Sequence, residues 1–117
     1  MKILEDNSFP KCLRVRKRKD FQKLKENGKR YFTKNFIVII GKNDVNLPRI
    51  GIIVARKYGK AVERNRMKRL IREFFRQNKK LFKVGYDYLI IVKNNCDLKN
   101  YWEVKAELED FLKRQKF

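Results

Sequence analysis

Residues 56–72, RKYGKAVERNRMKRLIR, leave few choices to a folding chain. Met67, Leu70, Ile71 and Phe74 stand at i, i+3, i+4 and i+7, the spacing of one buried helical stripe. Eight of the seventeen residues are Lys or Arg and one is acidic, so the rest of that surface cannot enter a core. At about 100° per residue, Asn65, Arg69, Arg72 and Arg76 fall opposite the stripe, with Lys68 and Lys79 at their flanks. A helix running from about Ala61 to Lys80 must therefore lie on the outside of a layer, stripe inward and cationic ridge outward.

The neighbouring segments supply that layer. Tyr58-Gly59 separates the helix from a strand over Arg49–Arg56. Ile50, Ile52 and Val54 form one face of this strand; Gly51, Ile53 and Ala55 form a smaller one with room for something to lie against it. An earlier strand is predicted over Tyr31–Lys42, apolar on both faces through Phe36–Ile40. GKNDVNLP, residues 41–48, is a turn region. Gly85 precedes a further strand, Tyr86–Lys93. A first helix is predicted over Arg18–Asn27, with Phe21 and Leu24 on one face and Gly28 just past its end. A last helix starts near Asn100, which forms a capping box with Glu103, and its apolar face is Tyr101, Val104, Leu108, Phe111 and Leu112. The expected fold is an α/β (α+β) two-layer sandwich with one small sheet and about three helices. It forms a single domain over 1–117, with residues 1–12 loosely ordered around Pro10.

Charge narrows the function. The 117 residues carry 32 Lys or Arg against 13 Asp or Glu, a formal net charge of +19. Such self-repulsion disfavours a compact state until a polyanion offsets it. The charge is also unevenly placed. Residues 11–34 and 56–80 each hold eleven basic and two acidic side chains, whereas residues 97–117 hold five of each. The longest wholly apolar runs are five residues, against the roughly 20 that span a bilayer. MKILEDNSFPK has acidic residues where a signal peptide needs an apolar stretch. Two distant cysteines, Cys12 and Cys96, fit reduced thiols in a cytoplasmic protein better than a disulfide or zinc site. There is no His, Gly-rich phosphate loop or nucleophile elbow, so no catalytic residue or metal ligand is assigned.

A solvated basic helix is the ordinary meaning of a charge run. Two features count against it here. Lys57, Lys60, Arg64 and Arg66 crowd the positive end of the helix dipole, where each cation is unfavourable by roughly 0.3–1 kcal/mol. Arg69, Arg72 and Arg76 face one another with few acidic partners. An arrangement that costs stability twice implies a polyanionic target. Arg can fork onto two phosphate oxygens, and Asn65 adds a donor and an acceptor for sugar hydroxyls, base edges or a hydrated metal ion. These arguments reach a structured nucleic acid without choosing RNA over DNA.

The spelling does choose. Lys57, Gly59, Lys60, Ala61, Val62, Arg64, Asn65, Arg66, Lys68, Arg69 and Arg72 resemble the R-N-R signature of the bacterial ribonuclease P protein subunit. Val15–Lys23, Gly28 and Phe36, then Arg49–Ile52 with Val54, and Asp87–Ile91 are similar to the family's other elements in the same order, over about residues 13–115. The resemblance implies a cytoplasmic subunit of a ribonucleoprotein endonuclease. Its RNA partner, using magnesium, removes the 5′ leader of precursor tRNA, and no obligate protein partner is involved. It also implies a left-handed crossover through the basic helix, where handedness rules alone predict a right-handed one. Arg56, Lys57, Lys60, Arg64, Asn65, Arg66, Lys68, Arg69, Arg72 and Arg76 would then face the catalytic RNA. The leader would lie between the sheet and the first helix, against Phe21, Ile39, Gly51, Ile53, Ala55 and Lys93, with Lys17 at the edge. The family commonly has aromatics where Ile39 and Lys25 stand, and Tyr31 and Phe32 read as nearby but out of register. Phe21 serves as well for core packing as for leader contact.

Three other readings stay in view. A ribosomal or other structured-RNA-binding protein fits the composition. A DNA-binding helix usually follows another helix, and here it follows a strand. A protein nuclease would need Asp20, Asp44, Glu73 and Asp87 to gather round magnesium, and they share no spacing.

Overall fold

The computed structural model describes residues 13–15 and 17–115. The expectations for residues 1–12, Cys12 included, lie outside them. The elements run α1 (Arg18–Asn27), β1 (Lys29–Phe32), β2 (Phe36–Lys42), β3 (Arg49–Val54), α2 (Ala61–Gln77), β4 (Tyr86–Val92) and α3 (Tyr101–Arg114). Short 3₁₀ turns at Arg56–Tyr58 and Lys79–Leu81 bracket α2. The four strands form one mixed sheet in the order β1-β2-β4-β3. β1–β2 and β2–β4 are antiparallel, and β3 runs parallel to β4, joined to it through α2. Among the described residues no helix is long and apolar enough to cross a membrane.

The single strand predicted over Tyr31–Lys42 is in fact a hairpin. Thr33 N–H donates to the Phe36 carbonyl at 2.9 Å, and Thr33 Oγ1 accepts from Phe36 N–H at 3.0 Å. A Thr-Lys-Asn turn lacks the Gly and Pro that mark most turns, and its hydroxyl does the work of the backbone instead. Glu107 of α3 then locks it. Its carboxylate accepts from Thr33 Oγ1 at 2.5 Å, Asn35 N at 2.8 Å and Asn35 Nδ2 at 2.7 Å. The second predicted strand stops two residues early, where Arg56 enters a 3₁₀ turn.

The main core lies between one sheet face and the α2–α3 layer. Phe36, Val38, Ile40, Ile50, Val54, Tyr88, Ile90 and Val92 meet Met67, Ile71, Phe74 and Phe75 of α2 and Val104, Leu108, Phe111 and Leu112 of α3. Phe82 is its hub, edge-on to Phe75 at 4.8 Å and Tyr88 at 4.9 Å. Contacts of this kind contribute about 0.5–1.5 kcal/mol each beyond area burial. The predicted stripe on α2 is widened by Phe75, which is fully buried. Asn100 caps α3 by accepting from Glu103 N at 3.0 Å, while Glu103 reaches back to Lys99 N rather than to Asn100 N.

The opposite face carries a smaller cluster of Val15, Leu24, Ile39 and Leu89, covered by α1. Gly28 ends α1 without the left-handed conformation that often calls for Gly; its φ is −75°. Close approach is the reason for glycine here. A Cβ would lie 2.5 Å from Ile39 Cγ2 and 2.6 Å from the Leu24 carbonyl oxygen. A polar clamp fixes the same helix. Arg49 forks onto buried Asp87 at 2.8 and 2.7 Å, Asn43 Nδ2 donates to Asp87 at 2.8 Å, and Asp20 of α1 stands 3.6 Å from Arg49. The bond to Asp87 raises the pKa of the Arg49 guanidinium.

Candidate nucleic-acid interface

The ridge of α2 divides into anchored and unanchored cations. Arg64 is half-buried and donates to the Gly59 carbonyl at 2.7 Å. Arg66 donates to the Lys99 carbonyl ahead of α3. Arg76, predicted to repel its neighbours, instead pairs with Glu73, whose carboxyl is held below its usual pKa by that bond. The helix start is not without an acid either: Glu63 Oε1 accepts from Lys60 N at 3.0 Å, which offsets some of the cationic crowding. Lys79, placed at the ridge's flank by its spacing, is 4% exposed because the helix has already ended at Gln77.

What remains is Arg56, Lys57, Lys68, Arg69 and Arg72. No hydrogen bond or ion pair from another described residue engages their side chains. All but Lys68 are exposed, as are Lys60, Asn65 and Arg66. The fixed backbone of α2 suits a rigid polyanion, because the only further order lost on contact is in the free side chains.

On the α1 side of the sheet, register creates a second feature. Phe32 pairs with Ile37, Ile37 with Ile91, and Ile91 with Ile53. These four side chains share one face and form a row across all four strands. α1 covers the adjacent row and leaves this one partly open: Ile37, Ile53 and Ile91 are half-buried, and Phe32 is 67% exposed. Phe32 thus shares a face with Ile37, since the hairpin turn resets the strand that the sequence pattern treats as continuous. Phe32 lay on the other face of the continuous strand for that reason, whereas Ile37 and Ile91 were not singled out from the sequence.

The residues assigned to a leader cleft are distributed around this row. Ile53 belongs to it, and Ala55 and Lys93 lie one step beyond. Lys93 Nζ donates to the Thr33 carbonyl at 2.6 Å, which sets its charge beside the hairpin turn. Phe21 of α1 packs on Gly51, where a Cβ would stand 2.9 Å from the ring, and Phe21 stays half-exposed. Ile39 is wholly buried beneath α1 and offers no surface. Lys17 lines a different cavity, between α1 and the Gly41–Arg49 connection, with Lys19, Lys23 and Lys42.

Arg72 of α2 and Phe21 of α1 line one cavity of about 240 Å³ with Arg14 and Gly51. The carboxylates do not gather: Asp20 and Asp87 converge on Arg49, while Glu73 is engaged by Arg76 and Gln77. Among the described residues no cluster of three or more His, Cys, Asp or Glu is placed to hold a metal ion. Cys96 is a free thiol whose pKa is raised by burial.

Comparison with known proteins places this geometry. A family model described as Ribonuclease P matches residues 9–116. The ribonuclease P protein component of Syntrophus aciditrophicus is 46% identical over 108 residues, covering 92% of this chain and 91% of that protein. The solved RNase P protein from Thermotoga maritima superposes with a TM-score of 0.79 at 36% identity, covering 89% of this chain and 98% of that one. The RNase P protein of Staphylococcus aureus gives a TM-score of 0.79 at 31% identity, over 86% and 93% of the two chains.

Proposed function

Since the chain belongs to the bacterial ribonuclease P protein family, we propose that it binds the catalytic RNA through α2 and the 5′ leader of precursor tRNA through the open sheet face. The observation that carries this is the pair of surfaces either side of β3, one cationic and unengaged, the other apolar and uncovered. Arg69 and Arg72, with Lys57 and Lys60 at the helix start, contact the phosphates of the RNA partner. Arg66 and Arg64 hold the helix end in place while they do so. Such contacts release counterions and lower the repulsion between enzyme RNA and substrate RNA.

The leader is single-stranded and sits along Phe32, Ile37, Ile91 and Ile53. Unpaired bases lie on apolar and aromatic surface without strong sequence preference. Lys93 and Arg56 lie near the ends of the row, where phosphates pass. No side chain of this protein takes or gives a proton in the reaction, and the bond-breaking belongs to the RNA. The described carboxylates do not fit a magnesium site, so magnesium ions are assigned to the RNA and substrate; the protein contributes positive field around them.

Substrate binding by the assembled particle tests the assignment. Precursor tRNA with its leader should bind more tightly than mature tRNA. Phe32→Ala should reduce that preference by about tenfold, the scale of one lost base stack. An equal loss on both substrates would overturn the leader assignment.

A further inference from the structure

We infer that Trp102 is a stacking platform for an unpaired base of the RNA that α2 binds, outside the ridge and the leader row. This rests on the ribonucleoprotein reading above. Trp102 is the chain's only Trp, it stands in the first turn of α3, and it is 71% exposed. A scattered exposed apolar residue is ordinary. This one is held in place and electrically marked. Tyr101 stands edge-on to it at 5.3 Å, and Lys105 Nζ lies 5.5 Å from the ring centroid.

The start of α3 is also tied to α2. Arg66 of α2 donates to the Lys99 carbonyl, and the Tyr101 hydroxyl bonds Gln77 Oε1 at 3.1 Å at the other end of α2. The start of α3 is thereby pinned to α2 at two points, so Trp102 keeps a set offset from Arg69 and Arg72. Charge complementarity names the occupant. Glu109 is taken by Lys113, and no described carboxylate pairs with Lys105. A polyanion along α2 therefore meets an unpaired cation over an accessible indole, the combination that receives an unpaired nucleotide. A second copy of this chain, itself highly cationic, would be repelled there.

Trp102 reports on itself. The full chain is titrated with catalytic ribonuclease P RNA while Trp emission, its accessibility to acrylamide and a gel-shift signal are followed together. The expected result is quenched emission and reduced acrylamide quenching at saturation. Trp102→Ala should weaken binding about 5- to 150-fold with an unchanged slope of log affinity against log salt, and Trp102→Phe should recover part of the loss. Arg69→Ala should instead make that slope shallower by about one. Gel-shift binding with unaltered emission and accessibility would overturn the inference. A concentration-dependent emission change without RNA, accompanied by a dimer mass, would also overturn it and make a second copy the occupant. Absence of RNA binding would remove the ribonucleoprotein reading itself.

Discussion

Arg64 and Arg69 are one helical turn and a little apart, and the structure gives them different work. Arg69 is exposed and unengaged among the described residues, so Arg69→Ala should leave urea unfolding unchanged within about 0.5 kcal/mol while weakening RNA binding. Arg64 bonds the Gly59 carbonyl, so Arg64→Ala should cost about 1 kcal/mol of stability as well. Equal stability losses in the two variants would contradict the division into anchors and contacts. Tyr88 supplies a pH test of the core. Its hydroxyl accepts from Lys83 N at 2.9 Å, and burial pushes the phenol up to about 12. The folded state therefore holds this proton more tightly than the unfolded chain, whose phenol ionises near 10.0. The stability so gained is complete below about pH 10 and is lost as pH rises toward 12. Tyr88→Phe should flatten the dependence of the urea midpoint on pH across that window. An unchanged profile would show that Tyr88 is not the group responsible.

The hairpin turn is the element on which the open row depends. Glu107→Ala removes the acceptor of three bonds, one hydroxyl, one backbone amide and one side-chain amide. The variant should lose about 2–3 kcal/mol in urea unfolding and should weaken binding of leader-bearing precursor while leaving affinity for the catalytic RNA nearly intact. Loss of both affinities in parallel would mean the turn does not act on the row alone. This is also the element that sequence patterning missed. Helices α1, α2 and α3 were legible because 3.6-residue periodicity and local caps are written in neighbouring residues. The strand faces were legible from alternation, down to Gly51 as the place where something packs. Neither signal marks a turn whose main support is a carboxylate on α3, so the hairpin was read as one strand and Phe32 fell on its other face. Lys79 and Arg76 failed for a related reason. The wheel fixes direction, but it does not tell where a helix stops or that Glu73 one turn back will take up a guanidinium.

At the scale of the molecule, a thin mixed sheet carries the α2–α3 layer with its cationic ridge on one side and a partly covered apolar face on the other, and Arg72 and Phe21 line one cavity at the β3 edge. The clamp of Arg49, Asp87 and Asp20 holds α1 where it leaves one row open. Family membership makes this protein the protein subunit of a ribonucleoprotein endonuclease, and the unengaged ridge supports the proposal that its RNA partner is the catalyst. The direct test is cleavage of a 5′-leader precursor tRNA at low magnesium, comparing bacterial ribonuclease P RNA alone, this protein alone and the two together. The account predicts efficient formation of the mature 5′ end only in the mixture. Cleavage by the protein alone would contradict it by requiring a protein catalytic centre. A mixture no faster than a competent RNA alone, despite tight binding, would contradict it by making this a structured-RNA-binding protein of another kind.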